Sequence, residues 1–513
     1  MNEKKQLAIN LIAQIFAFLV SICISFFVTP YIINNIGTAA FGFVGLSNDF
    51  VNYAMIITIA LNSMAARFIT LKFFEKKEEE ANKLFNTVLV SNIMMAIALF
   101  FVAVFVIFFL DRLIDVPANI LADVRWLFVF IFSSFIFGLM TSVFGVAPFT
   151  KNKLYYLSIV QITTQFVRLV VIFSCLYFFP PAVWYIGLAS LIMTIVGAIM
   201  NYVITRNIMP EIKLSISEFD FGSLKTLIAA GIWNSITRIG ALLATGLDLL
   251  IANQFVGATL MGVLSASKIL PTVILSAFGV VSSVFAPLLV KSFAEKNTDQ
   301  LQKQLSFAIK LSGALACIPM AVLFAYGAHF FELWLPTQDA QLLHILTIVT
   351  CFAFVFSLPL EPLWNVFVVT NKVKYSSIFI LISSFITIVV VFIGVSLTSN
   401  PIYQLYIIAG VSTISSIIRS LTFLPLVSAK LLNLRYGTFY GAIIKNTIVT
   451  IFVTMISLLI ARFLVIDSWL TLFVASGITG VIAVVINVYI LFTKTEREKY
   501  GKLFVDKIRG LRS

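Results

Sequence analysis

Apolar runs of twenty or more residues, separated by short turns that carry most of the charge, recur along the whole chain. A helix of about 20 apolar residues crosses the hydrocarbon core of a bilayer. Fourteen runs meet that length, at 10–33, 40–63, 85–110, 126–149, 154–178, 182–204, 227–252, 259–290, 305–331, 342–369, 375–398, 402–428, 439–464 and 468–492. The pattern predicts an all-α polytopic membrane protein, and little chain remains for a soluble domain. The opening MNEKK leads into a run too long for a signal-peptide core, with no small-residue cleavage site, so the first helix is expected to be retained.

Composition excludes the soluble alternatives. The chain is 60% hydrophobic and 11% charged, with a mean hydropathy of +1.06, values that no soluble class approaches. The cysteines, Cys23, Cys175, Cys317 and Cys351, fall inside predicted spans without metal-ligand spacing and read as small packing residues.

An even number of spans puts both ends on one side. Lys and Arg crowd the turns of that side, at Lys4, Lys5, Arg67, Lys72, Lys151, Lys153, Lys372, Lys374 and beyond Thr493. On the opposite side stand only Arg112, Arg125 and Arg462. The positive-inside rule therefore predicts both termini in the cytoplasm. The net charge of +13 follows from this orientation, and no basic patch interleaved with aromatics suggests nucleic acid as a partner. The mixed-charge run KFFEKKEEEANK at 72–83 reads as a solvated, partly amphipathic connector on the inner side.

The chain also repeats itself. Sliding it by 220 positions brings Gly37 onto Gly257, Gly42 onto Gly262, Ser47 onto Ser267 and Gln14 onto Asn234. Spans 1–6 and 7–12 thus read as two copies of a six-helix bundle, which predicts an N lobe over 1–225 and a C lobe over 226–430. Spans 13 and 14 with a basic tail, 431–513, lie outside the repeat. Six crossings per copy make the repeats parallel, and parallel halves in transporters enclose a central cavity that holds the substrate. The hairpin glycines Gly37, Gly42, Gly257 and Gly262 need no substrate to explain them, because close helix approach or a positive φ suffices.

Charges inside the spans are more informative, since a lone charge at mid-bilayer costs at least ~2.5–3.5 kcal/mol. Lys310 and Lys445 lie near the inner surface and can snorkel. Arg168, Arg238, Lys268 and Arg419 sit deeper, roughly 13 to 21 Å from the nearer helix end at 1.5 Å per residue. Three acids accompany them: Asp49 near the middle of span 2, Asp248 near the outer end of span 7, and Glu361 in SLPLEPLWN, where Pro359 and Pro362 are expected to interrupt the helix. Asp248 is a candidate partner for Lys268 across the turn. Even with every acid paired, the deep cations are in excess, which suits an anionic substrate such as a diphosphate. A carboxylate such as Asp49 or Glu361 would instead suit a cation-coupled antiporter. A membrane glycosyltransferase, polymerase or ligase fits less well, because the outer loops are short and the two histidines, His329 and His344, are isolated near the interface.

From Phe219 to Ile269 the sequence resembles the Wzx-like polysaccharide flippases of the multidrug/oligosaccharidyl-lipid/polysaccharide (MOP) superfamily. The resemblance rests on Phe221, Lys225 and Leu227 opening the seventh span, Asp248 near its end, Gly257 before the turn, and Gly262 and Ser265 after it. Pro30, Gly37 and Gly42 in TPYIINNIGTAAFG look like the family's opening, while Leu264 stands where the family often has Tyr. The resemblance implies a flippase without a cofactor, moving an undecaprenyl-diphosphate-linked oligosaccharide across the bacterial cytoplasmic membrane by alternating access. It is compatible with coupling to a Na+ or H+ gradient. Membrane lipids, a polysaccharide polymerase and chain-length machinery would be the partners. Arg238, Lys268, Arg168 and Arg419 are the expected substrate contacts, with Asp49, Asp248 and Glu361 in charge pairing or ion coupling.

Overall fold

The computed structural model describes residues 3–295 and 297–498. Among the described residues, thirteen helices are long and apolar enough to cross a membrane, and a pair bent by 41° supplies a fourteenth. Numbered along the chain they are α1 (Ile9–Ile36), α2 (Thr38–Phe74), α3 (Glu78–Phe108), α4 (Leu121–Thr150), α5 (Tyr155–Phe178), α6 (Trp184–Ile208) and α7 (Phe221–Val256). Next come α8 (Ala258–Gly279), α9 (Thr298–Trp334), the bent α10 (Ala340–Cys351 with Phe354–Val369), α11 (Val373–Ser396), α12 (Pro401–Leu431), α13 (Tyr440–Phe463) and α14 (Trp469–Leu491). No strand occurs among the described residues. The protein is thus an all-α, multi-pass membrane protein.

Two compact units emerge: unit one is Met1–Ala266 with Ser377–Val389 and Thr398–Leu405, and unit two is Ser267–Ser376 with Val390–Leu397 and Tyr406–Ser513. The boundary at Ser267 differs from the division at 226 that the repeat suggests, because α7 packs along α2. Gly231 sits against the carbonyl of Ala60, so a methyl group there would collide with backbone.

Local structure repeats at the 220-residue spacing. A hydrophobic core cluster of unit one contains Ala65, Ile69, Phe85, Val143, Val146 and Ala147. Their counterparts Phe285, Leu289, Leu305, Leu363, Val366 and Phe367 belong to a core cluster of unit two. The helix ends that follow α4 and α10 match too, one residue out of that register at a spacing of 219: Asn152 and Asn371 both adopt φ 54°. In each, the backbone N–H of the next lysine, Lys153 or Lys372, closes a bond of 2.8 or 2.7 Å to the carbonyl of Pro148 or Phe367, a left-handed helix stop that asparagine tolerates. α13 and α14 are fastened to α9: Gly313 admits the Asn446 side chain, and the Tyr326 hydroxyl lies 2.9 Å from Thr479 Oγ1.

Three expectations are corrected. α2 runs from Thr38 to Phe74, so Asp49 belongs to its first third. The 72–83 run is absorbed by the ends of α2 and α3, leaving Glu75–Lys77 as the turn. There Lys72 pairs with Glu80 at 2.8 Å and with Glu75 at 3.3 Å, and Lys77 reaches the same two acids. Lys310 is held by both carboxylate oxygens of Glu496 at 2.9 Å rather than simply snorkelling.

Candidate functional site

The hairpin glycines set the frame. Gly37 has φ +99° and Gly257 φ +88°, with open space where a side chain would project, so backbone conformation alone selects glycine there. Gly42 and Gly262 serve differently: they pack against each other, and Gly262 also abuts the Thr38 carbonyl. Three residues on, Gly45 lies against Ser265. Both pairs join residues 220 apart, so each position meets its own counterpart from the other repeat, as residues on a two-fold axis do.

Along the α2–α7 contact the polar groups fall in a line. Asn234 Nδ2 donates to Ser63 Oγ at 3.1 Å and Ser235 Oγ to the Ile56 carbonyl at 3.2 Å. The Arg238 guanidinium donates to Asn52 Oδ1 at 2.8 Å. One turn further, α7 widens into a π-helical turn at Leu242–Gly246, and the Tyr53 hydroxyl donates to the Gly246 carbonyl at 2.7 Å. Such turns shift helical register and free carbonyls for outside partners. Asp49 and Asp248 both lie within electrostatic reach of the Tyr53 hydroxyl. Unit one therefore gathers Arg238, Asp49 and Asp248 around two neutral residues, Asn52 and Tyr53. Sequence reading missed both, although the polar spacing Asp49, Asn52, Tyr53 marks one face of α2.

Arg168 stands apart on α5, half-buried, with its Nε shielded and without a hydrogen bond. In unit two, Glu361 begins a 3-10 turn, Glu361–Leu363, inside α10, as its flanking prolines predict. Arg419 begins a π-helical turn in α12, Arg419–Phe423, and its guanidinium contacts Ser416 Oγ at 3.4 Å. The charges of Glu361 and Arg419 act on each other. Lys268 falls where α8 is interrupted, between Ser267 and Ile269, and its carbonyl accepts the Thr272 hydroxyl at 2.8 Å.

At the start of α7, Asp220 caps the helix by accepting the Ser223 N–H at 2.7 Å and pairs with Lys83 at 3.3 Å. These Ser223 hydrogen bonds, more than the lysine, hold its carboxyl below the usual range. Among the described residues, no group of His, Cys, Asp and Glu could hold a metal ion.

Fold comparison defines the class: the chain has the fold of MOP superfamily transporters. It matches the lipid II flippase MurJ, in an inward closed conformation, with a TM-score of 0.67 at 15% identity over 96% of this chain and 99% of that one. It also matches an inward-facing multidrug resistance MATE family transporter of the MOP superfamily, with a TM-score of 0.63 at 13% identity over 81% of this chain and 95% of that one. In sequence, it is 29% identical over 497 residues to the uncharacterized membrane protein EpsK of Bacillus subtilis (strain 168), covering 97% of both chains. No family model matches the chain.

Proposed function

We propose that this protein is a Wzx-like flippase that moves an undecaprenyl-diphosphate-linked oligosaccharide from the inner to the outer leaflet of the bacterial cytoplasmic membrane. The product would feed cell-surface polysaccharide such as O-antigen, capsule or exopolysaccharide. The observation that carries this reading is the set of deep cations, Arg168 and Arg238 in unit one and Lys268 and Arg419 in unit two, within a fold shared with a lipid II flippase. Burying guanidinium groups in a membrane is costly, and a diphosphate is the counterion that several of them would bind together.

The mechanism we infer is alternating access of the two repeats, with both termini in the cytoplasm. The diphosphate would meet these cations, and the lipid tail would stay in the bilayer. Deleting the gene should cause lipid-linked intermediate to accumulate on the inner leaflet; unchanged leaflet distribution with normal surface polymer would remove the proposal.

A second reading has one observation in its favour. Asp49 and Asp248 converge on Tyr53, and carboxylates in a MATE-like fold suit a cation-coupled antiporter. Drug resistance on overexpression without a glycan phenotype would favour it, whereas Na+ or H+ coupling alongside glycan export would fit the first reading.

A further inference from the structure

Helix α5 has two contrasting faces. Ile159, Phe166, Val170 and Tyr177 are exposed and recur at helical spacing, which defines the lipid face. Ser158, Gln161, Gln165 and Arg168 recur at spacings of three and four on the opposite side. Gln161 is nonetheless exposed on this side, away from the apolar stripe. α1 has the same design: its outward residues Leu11, Ile12, Ile15, Phe16 and Leu19 are apolar, while Asn10, Gln14 and Ser21 line the other side.

The two polar stripes face each other within unit one. Gln161 Nε2 donates to Ser21 Oγ at 3.0 Å, and Asn10 Nδ2 donates to the Asn152 carbonyl at 3.0 Å, beside the start of α5. Gln165 Oε1 and Arg168 Nε are shielded and make no hydrogen bond, and the same holds for Asn201 Oδ1 on α6. Buried polar atoms without partners are rare and call for an explanation.

We propose that this wall of α1 and α5 is the sugar-binding surface of the flippase, with Gln14, Ser21, Gln161 and Gln165 taking glycan hydroxyls and Arg168 the adjoining phosphate. This rests on the flippase reading above. Carboxamides donate and accept at once, which matches vicinal hydroxyls. The stripes carry no carboxylate, so they offer nothing to a cationic drug or a coupling ion. From Gln161 to Arg168 the helix rises about 10 Å, a length that accommodates a hexose and its linking phosphate.

The test compares thermal stabilisation of the full-length protein by two probes, undecaprenyl diphosphate and the same lipid bearing one N-acetylhexosamine. The wild type should prefer the sugar-bearing lipid. A Gln161→Leu, Gln165→Leu double variant should lose that preference by about tenfold, as two lost hydrogen bonds imply, and still respond to undecaprenyl diphosphate. The milder Ser21→Ala and Gln161→Asn variants should lose part of it, which keeps the test valid if the double variant folds poorly. A wild type without preference, or variants that retain it fully, would overturn the sugar wall alone. A wild type that responds to neither lipid would bring down the flippase reading with it.

Discussion

Arg238 shows what a single residue in the membrane depends on. Its hydrogen-bond partner Asn52 is neutral, at 2.8 Å, so this contact fixes the guanidinium without neutralising it. Arg238→Ala should abolish polymer export at normal protein levels; normal export would take the residue out of the mechanism. Asn52→Leu should leave the guanidinium unsupported and cost about 1.5–3 kcal/mol, read as lower thermal stability in detergent. The glycines separate two costs that sequence alone leaves mixed. Gly257→Ala should destabilise by about 1–3 kcal/mol, because φ 88° with ψ 170° lies in a region essentially confined to glycine, and Gly257→Asn by a similar amount, since asparagine's tolerance is for the left-handed helical region. Gly262→Ala should cost more than Gly257→Ala, because its methyl meets the Thr38 backbone. Charge in an apolar run was legible beforehand, which is why Arg168, Arg238, Lys268 and Arg419 could be singled out. The neutral residues near Arg238 were not: Asn52, which accepts from it, and Tyr53, which donates to Gly246, carry no charge signal, and their role depends on which helix lies alongside.

At the scale of elements, apolar length announces a helix, whereas its ends and breaks depend on contacts. The spans were legible in number and order, yet α2 and α3 extend well past their apolar cores because the Lys72, Lys77, Glu75 and Glu80 ion pairs support their ends. The prolines around Glu361 foretold the break in α10. Nothing local foretold the π-helical turn of α7, whose freed Gly246 carbonyl is taken up by Tyr53, 193 residues earlier. The start of α7 offers a pH test. The Asp220 carboxyl is held low by Ser223 and Lys83, so its stabilising effect is fully present above the ordinary carboxylate range and is lost as pH falls through its own lowered value. Asp220→Asn keeps a capping oxygen but cannot titrate, so its thermal stability should fall less steeply below about pH 4 than the wild type's. Equal slopes would mean that the cap does not report folding.

For the whole molecule, the 220-residue repeat makes a mechanical prediction. Alternating access, as proposed, requires the two repeats to part at one face and close at the other. α2 belongs to the first repeat and the beginning of α8 to the second, and they touch where Gly45 faces Ser265. A Cβ built on Gly45 would lie 3.4 Å from that of Ser265, close to the roughly 3.5–4.5 Å that a disulfide spans. Gly45→Cys with Ser265→Cys, in a background lacking Cys23, Cys175, Cys317 and Cys351, should therefore cross-link under mild oxidation. If the repeats must separate there, the oxidised protein should stop exporting polymer, and reductant should restore export. The single-cysteine variants, treated alike, control for damage to packing. Cross-linked protein that exports at the wild-type rate would show that this contact stays closed throughout the cycle, and the moving surfaces would then have to lie elsewhere along the repeats.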